Sequence, residues 1–203
     1  DDTKQYSSRA IDLVGRSLVI DMLGVLAIDD AKADRWISSA EGMSAEELAA
    51  FKTSGINIFH NSFGIGGPTS YEDALLYMAS YSAFITRYNN DFVRITTTKE
   101  MENAKKSGKI GIIHGLQNAD EFRTPDDVKL FHGIGMRCAQ LTYNTQNLIG
   151  SGSTERVDGG VTDFGAEIIK RMNEVGMLVD VSHSGDKTTL DAIELSAKPI
   201  AIT

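Results

Sequence analysis

The side chains best suited to chemistry follow short apolar runs in this sequence. Histidines occupy three such positions, namely His60 after INIF, His114 after IGII and His183 after MLVDVS, whereas His132 falls at a predicted helix end. Imidazole is a common metal ligand, but a lone histidine at a strand end is more often a hydrogen-bonded core residue. His183 is the strongest candidate because it closes the stretch DVSH directly after an apolar run, and there the core and ligand interpretations are equally open.

Other kinds of chemistry find less support in the residue pattern. Tyr143 and Asn144, within LTYNTQN, could hydrogen-bond a substrate or satisfy backbone groups at a turn. The loop 150–160 (GSGSTERVDGG) contains glycines but lacks the GK[ST] sequence that a phosphate-binding loop requires. No GxSxG motif occurs, and Cys138 lies within an apolar run, so nucleophilic catalysis by Ser or Cys is not indicated.

A repeated phrase predicts the elements that position these residues. An amphipathic helix is followed by Gly and by an apolar run with little alternation, as in AAFKTSGINIFHN and MNEVGMLVDVSH. Such runs are typical of parallel strands that helices cover. Six strands are predicted, near residues 17–23, 56–61, 109–114, 136–142, 177–182 and 199–203. The carboxyl ends of parallel strands meet at one edge of the sheet, where α/β proteins place their sites.

Strands that alternate with helices at this spacing predict an α/β fold. Helix starts are marked by the capping boxes Ser44–Glu47 and Thr97–Glu100, and by Thr124 before a first-turn proline. No GxGxxG motif follows the first predicted strand, which counts against a dinucleotide-binding domain. Two architectures stay open: an open doubly wound sheet, and the first part of a (β/α)₈ barrel, which usually has about 250 residues.

Composition narrows the class of protein further. The 203 residues are 41% hydrophobic and 24% charged, which suits one domain with a sizeable core. The net charge of −8, without a basic run, makes nucleic acid and anionic membranes poor partners. No apolar stretch approaches the roughly 20 residues of a membrane span, and a single cysteine excludes an intrachain disulfide. The start DDTKQYSS, without Met, slightly favours an exported protein over a cytoplasmic one, although trimming explains it equally well.

The stretch from Gly135 to Thr203 resembles the membrane (renal) dipeptidase family of zinc peptidases. The phrases that carry the resemblance are GMRCAQLTYNTQNLIGSG and GGVTDFGAEIIKRMNEVGMLVDVSHSGDKTTLDAIELSAKPIAIT, and, more loosely, GKIGIIHGLQNADEF. The opening LVIDMLG takes the place of that family's IDGHND-like first strand. The resemblance implies a (β/α)₈ barrel of the amidohydrolase kind. Residues 1–203 would form a single barrel domain that covers about its first six strands and is incomplete at the C-terminal end.

The resemblance also implies a site. In this family a His-x-Asp pair on strand one, a bridging Glu after strand three and histidines after strands five and six hold two zinc ions. His183 matches the strand-five ligand, but the strand-one pair falls on Leu23 and Val25, which cannot bind a metal. The bridging catalytic position falls on Gln117, a neutral and much poorer ligand, and Tyr143 takes the substrate-binding position. The strand-six ligand, a substrate-binding Arg and a catalytic Asp would lie beyond the chain.

These altered positions imply at most one zinc ion, because a second dication beside Leu23 would remain uncompensated in a low-dielectric pocket. His183 is expected to bind that ion. His60, His114, Asp21 and Gln117 are the groups that could complete the shell, with His60 preferred over His114 because it shares a strand face with Ile56 and Ile58.

The expected function is that of a metal-dependent dipeptidase-like hydrolase, which cleaves a small peptide or amide through a metal-bound water. Tyr143 and Asn144 would orient this substrate. The alternatives are a metal-free pseudoenzyme that binds a small peptide-like ligand, and a pocket that serves other chemistry on a peptide-derived metabolite. The family also implies a homodimer.

Overall fold

The computed structural model describes residues 6–24, 26, 30–64 and 66–203. They form a curved parallel sheet of six strands with helices packed on its outer face. The strands are β1 (Ile20–Asp21), β2 (Ile58–Phe63), β3 (Phe92–Arg94), β4 (Ile110–Leu116), β5 (Met136–Gln140) and β6 (Leu178–Asp180). The helices are α1 (Ser8–Arg16), α2 (Asp30–Ser38), α3 (Ala45–Thr53), α4 (Ser70–Arg87), α5 (Thr98–Ser107), α6 (Pro125–Ile134), α7 (Asp163–Val175) and α8 (Asp186–Leu195), and a 3₁₀ turn spans Ala119–Glu121.

The sheet follows the order β1-β2-β4-β5-β6, and every pair in it is parallel. Strand β3 stands outside this path and pairs with the first half of β4, with Phe92 opposite Ile110. The second half of β4 pairs on that same side with β5, with Gly115 opposite Cys138. Thus, on this side, β3 pairs with the first half of β4 and β5 pairs with the second half. The barrel path runs through β1, β2, β4, β5 and β6 and leaves out β3.

Two strand predictions need correction. The short strand β3 was not predicted, because three residues between a turn and a helix cap are too few to show periodicity. The strand predicted near 199–203 is reduced to a single parallel bridge between Asp180 and Ala201. The other five predicted strands are present, although β1 is confined to Ile20–Asp21 within the predicted 17–23.

Alternation along the strands decides which side chains face the interior of the curve. On β2, Ile58 lies on the inner face with Ile95 and Ile113, whereas Phe59 packs outward among the helices. The largest buried cluster lies between strands β4–β6 and helices α4, α6 and α7. Because apolar side chains are buried on both faces, the strands show little polar/apolar alternation in sequence.

The predicted helix starts are confirmed. Ser44 with Glu47 and Thr97 with Glu100 form reciprocal capping boxes at the starts of α3 and α5. The Asp127 carboxylate accepts the backbone N–H of Thr124 at 2.8 Å, at the start of α6. These local signals fix where each helix begins and therefore where each following strand enters the sheet.

Strand β5 carries the single cysteine of the chain. Cys138 is only 2% exposed, and burial raises the pKa of its thiol well above its usual value.

Among the helices that the structure describes, none has the length and apolar character needed to cross a membrane.

Candidate functional site at the carboxyl ends of the strands

Three of the predicted site residues lie together at the C-terminal edge of the sheet. The imidazole of His183 stacks on the ring of Tyr143, with centroids 4.5 Å apart and planes 27° apart. Its Nδ1 lies 2.7 Å from Asn144 Oδ1. Tyr143 and Asn144 follow β5, and His183 follows β6, so two neighbouring strand ends build this cluster.

The backbone of this cluster has two residues in the left-handed conformation, and hydrogen bonds from a neighbouring loop hold them there. Asn144 and His183 both have φ of +59°, a left-handed conformation that asparagine tolerates better than most residues. The carbonyl of Asn144 accepts the N–H of Thr154 at 2.9 Å, and that of His183 accepts the N–H of Ser153 at 2.8 Å. The glycine-rich loop 150–160 therefore holds both left-handed residues in place, which is typical of strain retained at functional sites.

The hydrogen bond to Asn144 decides what His183 can offer. When Nδ1–H donates to Asn144 Oδ1, the lone pair of the neutral ring is on Nε2. His183 is exposed, so a ligand can approach this nitrogen. Histidines that bind metals usually donate their other ring N–H to an acceptor of this kind, which fixes both tautomer and ring orientation. The arrangement therefore fits one ligand of a metal ion.

The structure places Gln117 and Leu23 at the ends of β4 and β1. The Gln117 backbone is held on both sides: its N–H donates to Phe63 O at 2.7 Å, and its carbonyl accepts Gln140 Nε2–H at 2.8 Å. Its side chain is half-buried. Leu23 is 41% exposed, and its N–H donates to Asp21 Oδ1. Val25, the other position of the strand-one pair, lies outside the described residues.

His60 occupies the interior of the curved sheet. Its Nδ1 lies 2.5 Å from the carbonyl of Met22, and its buried Nε2 has no hydrogen-bond partner within the described part of the chain. The ring lies directly against Gly115, where a Cβ would collide with it. Burial lowers the pKa of His60, against the opposing effects of the Met22 carbonyl and of the Asp180 and Asp21 charges. His60 therefore stays neutral near pH 7.

His114 faces the other way, toward α4. Its Nδ1 lies 3.3 Å from the Tyr77 hydroxyl, which donates to Asn61 O at 2.7 Å. Tyr77 and Tyr81 contact its ring edge-on, with centroids 5.7 and 5.9 Å away. Burial lowers the pKa of His114 to about 4. This environment is that of a core histidine, enclosed between β4 and α4.

The described side chains do not assemble a complete metal cage. No group of three or more His, Cys, Asp or Glu side chains suited to a metal ion occurs within residues 6–24, 26, 30–64 and 66–203. His183 fits a single ligand position, whereas Leu23 and Gln117 do not fit the positions of a two-ion site. No catalytic step can therefore be derived through a metal from these residues alone.

Sequence reasoning missed one ionisable residue at this edge. Glu121 lies in the 3₁₀ turn after β4 and is 0% exposed. Its position in the sequence could have indicated it, because Asp120 and Glu121 closely follow the end of a strand and precede Phe122, which is buried in the core.

Comparisons with known proteins agree with this architecture. Residues 40–203 match the membrane dipeptidases, peptidase family M19. Over 122 residues the chain is 29% identical to an uncharacterised dipeptidase of Schizosaccharomyces pombe, a match covering 57% of this chain and 29% of that protein. An amidohydrolase from Pseudomonas aeruginosa has 29% identity and a TM-score of 0.79, over 94% of this chain and 53% of that one. Dipeptidase AC, an M19 metallopeptidase, superposes with a TM-score of 0.76 at 18% identity, over 91% of this chain and 62% of that one.

The curved parallel sheet, with its polar C-terminal edge, defines the chain as part of a (β/α)₈ barrel. Within that class, the chain belongs to the membrane dipeptidase family, M19. It spans about half the length of the P. aeruginosa amidohydrolase, and its matched stretch covers less than a third of the yeast dipeptidase.

Proposed function

We propose that the protein carrying this chain is a metal-dependent dipeptidase-like hydrolase that cleaves a small peptide or amide. Membership of the M19 family supports the class of reaction. The observation that carries the proposal is the preset imidazole of His183, which is stacked on Tyr143 and hydrogen-bonded through Nδ1 to Asn144. An exposed histidine with no function would need neither constraint.

In this proposal the site holds one zinc ion at most. His183 Nε2 is the first ligand. His60, whose buried Nε2 has no hydrogen-bond partner among the described residues, is the second candidate. Zinc held there would supply Lewis-acid activation of a water molecule for attack on the amide. The remaining ligands would come from outside the described residues.

The neighbouring polar groups bind and orient the substrate. With Asn144 Oδ1 engaged by His183, its Nδ2–H₂ is the group free to donate to a carbonyl of the peptide. The Tyr143 hydroxyl provides a second hydrogen bond. Gln117, whose backbone is fixed at the end of β4, presents a neutral amide at the catalytic position. This amide can orient a ligand but, unlike a carboxylate, cannot balance the charge of a dication.

A second candidate function is metal-free binding of a small peptide-like ligand. The observation that favours it is the replacement of two ligand positions, by the exposed and apolar Leu23 and by the neutral Gln117. Under this function Tyr143, Asn144 and His183 form a recognition surface only.

Metal content distinguishes the two candidates. The full-length protein is purified without added metal, and its zinc is counted by elemental mass spectrometry before and after zinc is offered. About one zinc ion per chain, with hydrolysis of a dipeptide panel, supports the hydrolase. Two ions would contradict the limit of one. No zinc at any stage, together with calorimetric binding of a dipeptide, would reject the hydrolase in favour of the binding protein.

A further inference from the structure

A pocket lies at the same edge of the sheet, between the chain after β2 and the 3₁₀ turn after β4. It has a volume of about 310 Å³. Its lining consists of Phe63, Gly64, Gly66, Ser70, Asp73 and Glu121. None of these residues belongs to the cluster of Tyr143, Asn144 and His183, so the pocket is a separate feature of this edge.

Glu121 is the most unusual group in this pocket. The residue is 0% exposed, and neither carboxylate oxygen has a hydrogen-bond partner in the described part of the chain. Gly64, with φ of +81°, passes so close that a Cβ there would lie 2.5 Å from Glu121 Oε1. A buried carboxylate without a partner is strongly unfavourable unless it is neutralised or paired with a cation.

The charges around Glu121 are mostly negative. Asp73 of α4 lies at the pocket mouth, and its Oδ2 accepts the Thr69 hydroxyl at 2.7 Å. Asp120, on the same turn as Glu121, is half-buried. The nearby cation, Arg123, lies over the ring of Tyr71 at 3.3 Å and is already shared with the carboxylates of α4 and α6. The pocket therefore has an excess of acceptors.

The protonation of Glu121 follows from this setting. Burial raises the pKa of Glu121 to about 8, a value that includes the lowering effect of the Glu121 backbone and a smaller raising effect of the Asp120 charge. Burial likewise raises the pKa of Asp120, against a hydrogen bond from the Gly67 backbone. At pH 7 Glu121 therefore carries a proton, which a bound cation would displace.

We propose that this pocket binds the protonated amine of a small organic molecule, with the Glu121 carboxylate accepting the ammonium N–H groups and Asp73 at the entrance. The volume exceeds that of a bare ion, and the Phe63 ring provides an apolar wall for the carbon atoms next to the nitrogen. An inorganic cation fits less well, because no group of three metal-ligating side chains occurs among the described residues. The site does not depend on hydrolysis.

Binding of an ammonium group at this site releases the Glu121 proton. Affinity therefore rises with pH, by about tenfold per pH unit below the pKa of Glu121, and levels off above it. A simple alkylamine stays protonated across this range, so the pH dependence belongs to the protein. A free amine and the amino terminus of a small peptide share this chemistry.

The test is isothermal titration calorimetry of the full-length protein with propylamine at pH 6, 7 and 8. We expect the affinity to rise at least tenfold from pH 6 to pH 8, and N-propylacetamide, the neutral analogue, to show no binding. Glu121→Gln should weaken propylamine binding at least tenfold and remove its pH dependence. The matched control is Asp126→Asn, an exposed acid on α6, which should behave as the wild type does. Glycylglycine against its N-acetylated form then tells whether a peptide terminus also occupies the pocket.

Several outcomes would overturn the proposal. They are wild-type affinity in Glu121→Gln, equal binding of the neutral analogue, displacement of propylamine by calcium, or no propylamine binding at pH 8. If Glu121→Gln does not fold, Asp73→Asn at the exposed mouth replaces it and should weaken binding at least threefold. An unchanged affinity in that variant rejects the site. This experiment measures only the binding of a simple amine. A negative result would therefore reject the amine site without affecting the hydrolase proposal, and a failure of the hydrolase proposal would not affect the amine site.

Discussion

The middle of the sheet and its C-terminal edge both carry histidines, but the two regions treat them differently. In the middle, on β2 and β4, His60 and His114 are buried, and their rings fill space against Gly115 and Tyr77. At the edge, after β6, His183 is exposed, and its ring is oriented by one stack and one hydrogen bond. Each of the three follows a similar apolar run in the sequence.

The difference shows that surroundings, and not residue type, decide the role of a histidine in this sheet. A buried ring must fit the space that its neighbours leave and stays neutral, whereas an oriented and accessible ring presents its free nitrogen to a ligand that arrives from solvent. Substitutions in the middle should therefore change the free energy of unfolding. Substitutions at the edge should change metal binding and activity with little effect on stability.

The largest effect is expected from His183→Ala. Loss of the proposed metal ligand should reduce bound zinc to background and dipeptide hydrolysis by more than about 100-fold. Because only one exposed stack and one exposed hydrogen bond are lost, the free energy of unfolding should fall by no more than about 1.5 kcal/mol. The control is His132→Ala, near the opposite edge of the sheet, which should retain metal and activity. Full hydrolytic activity in His183→Ala would contradict the role assigned to this residue.

The counterpart in the middle of the sheet is Gly115→Ala. The added methyl would occupy the position of the His60 ring, so we expect the free energy of unfolding to fall by about 3 kcal/mol, measured by urea denaturation. Gly133→Ala on α6 is the matched control, because nothing lies within 4 Å of a Cβ there. It should be neutral or stabilising by up to about 1 kcal/mol. Equal stability of the two variants would show that His60 does not require the space above Gly115.

The third prediction concerns pH and His114. Its pKa is about 4 in the folded chain and about 6.5 when unfolded, so between these values the unfolded chain binds more protons. The contribution of His114 to stability is therefore lost as pH falls from about 6.5 to 4, by roughly 2.5 kcal/mol. His114→Gln, which cannot titrate, should lose less stability than the wild type between pH 7 and 4.5. An identical pH dependence in both proteins would contradict the buried, neutral state of His114.

At the edge, Asn144 should matter as the partner that orients His183. Asn144→Gly tolerates the left-handed backbone but removes the acceptor of the imidazole N–H, so zinc affinity should fall about tenfold. Asn144→Asp keeps an acceptor oxygen and should restore zinc binding. Competition with a fluorescent chelator measures both affinities. If both variants bind zinc as the wild type does, the hydrogen bond has no role in metal binding.

The smallest effect is expected from Tyr143. Tyr143→Phe keeps the stack on His183 but removes the hydroxyl, so KM should rise by about threefold with kcat unchanged. Tyr143→Ala also removes the stack and should lower kcat about fivefold, in line with the energy of an aromatic pair. A change in kcat for Tyr143→Phe would move the hydroxyl from substrate binding to the reaction itself.

Local signals explain which parts of the fold could be predicted. Capping boxes such as Thr97–Glu100 and the apolar runs of β2, β4 and β6 are short-range patterns, and the structure has them as predicted. The three residues of β3 are paired only through contact with β4, and the terminal strand is reduced to a bridge at Ala201. These features depend on neighbouring strands, so no local pattern indicates them.

The residues of the candidate site also separate into those that local patterns indicate and those that depend on contacts between distant segments. His183, Tyr143 and Asn144 could be singled out because they follow strand ends, and strand ends share an edge. Strand alternation favoured His60 over His114 as a ligand, but the surroundings of each ring depend on which face of its strand points inward, and no local pattern indicates that. The buried and unpartnered carboxylate of Glu121 lies against Gly64, a contact between segments far apart in sequence that no local pattern indicates.

The rate at which Cys138 is chemically labelled can report how often the sheet opens around β5. A thiol that is both enclosed by β5 and held protonated reacts with disulfide reagents or maleimides only while the strand is detached from its neighbours. Cys138 is the only sulfhydryl within these 203 residues, so a modification found at this position records one opening event. The labelling rate therefore follows the local opening of the sheet, without any introduced probe, in every variant described above.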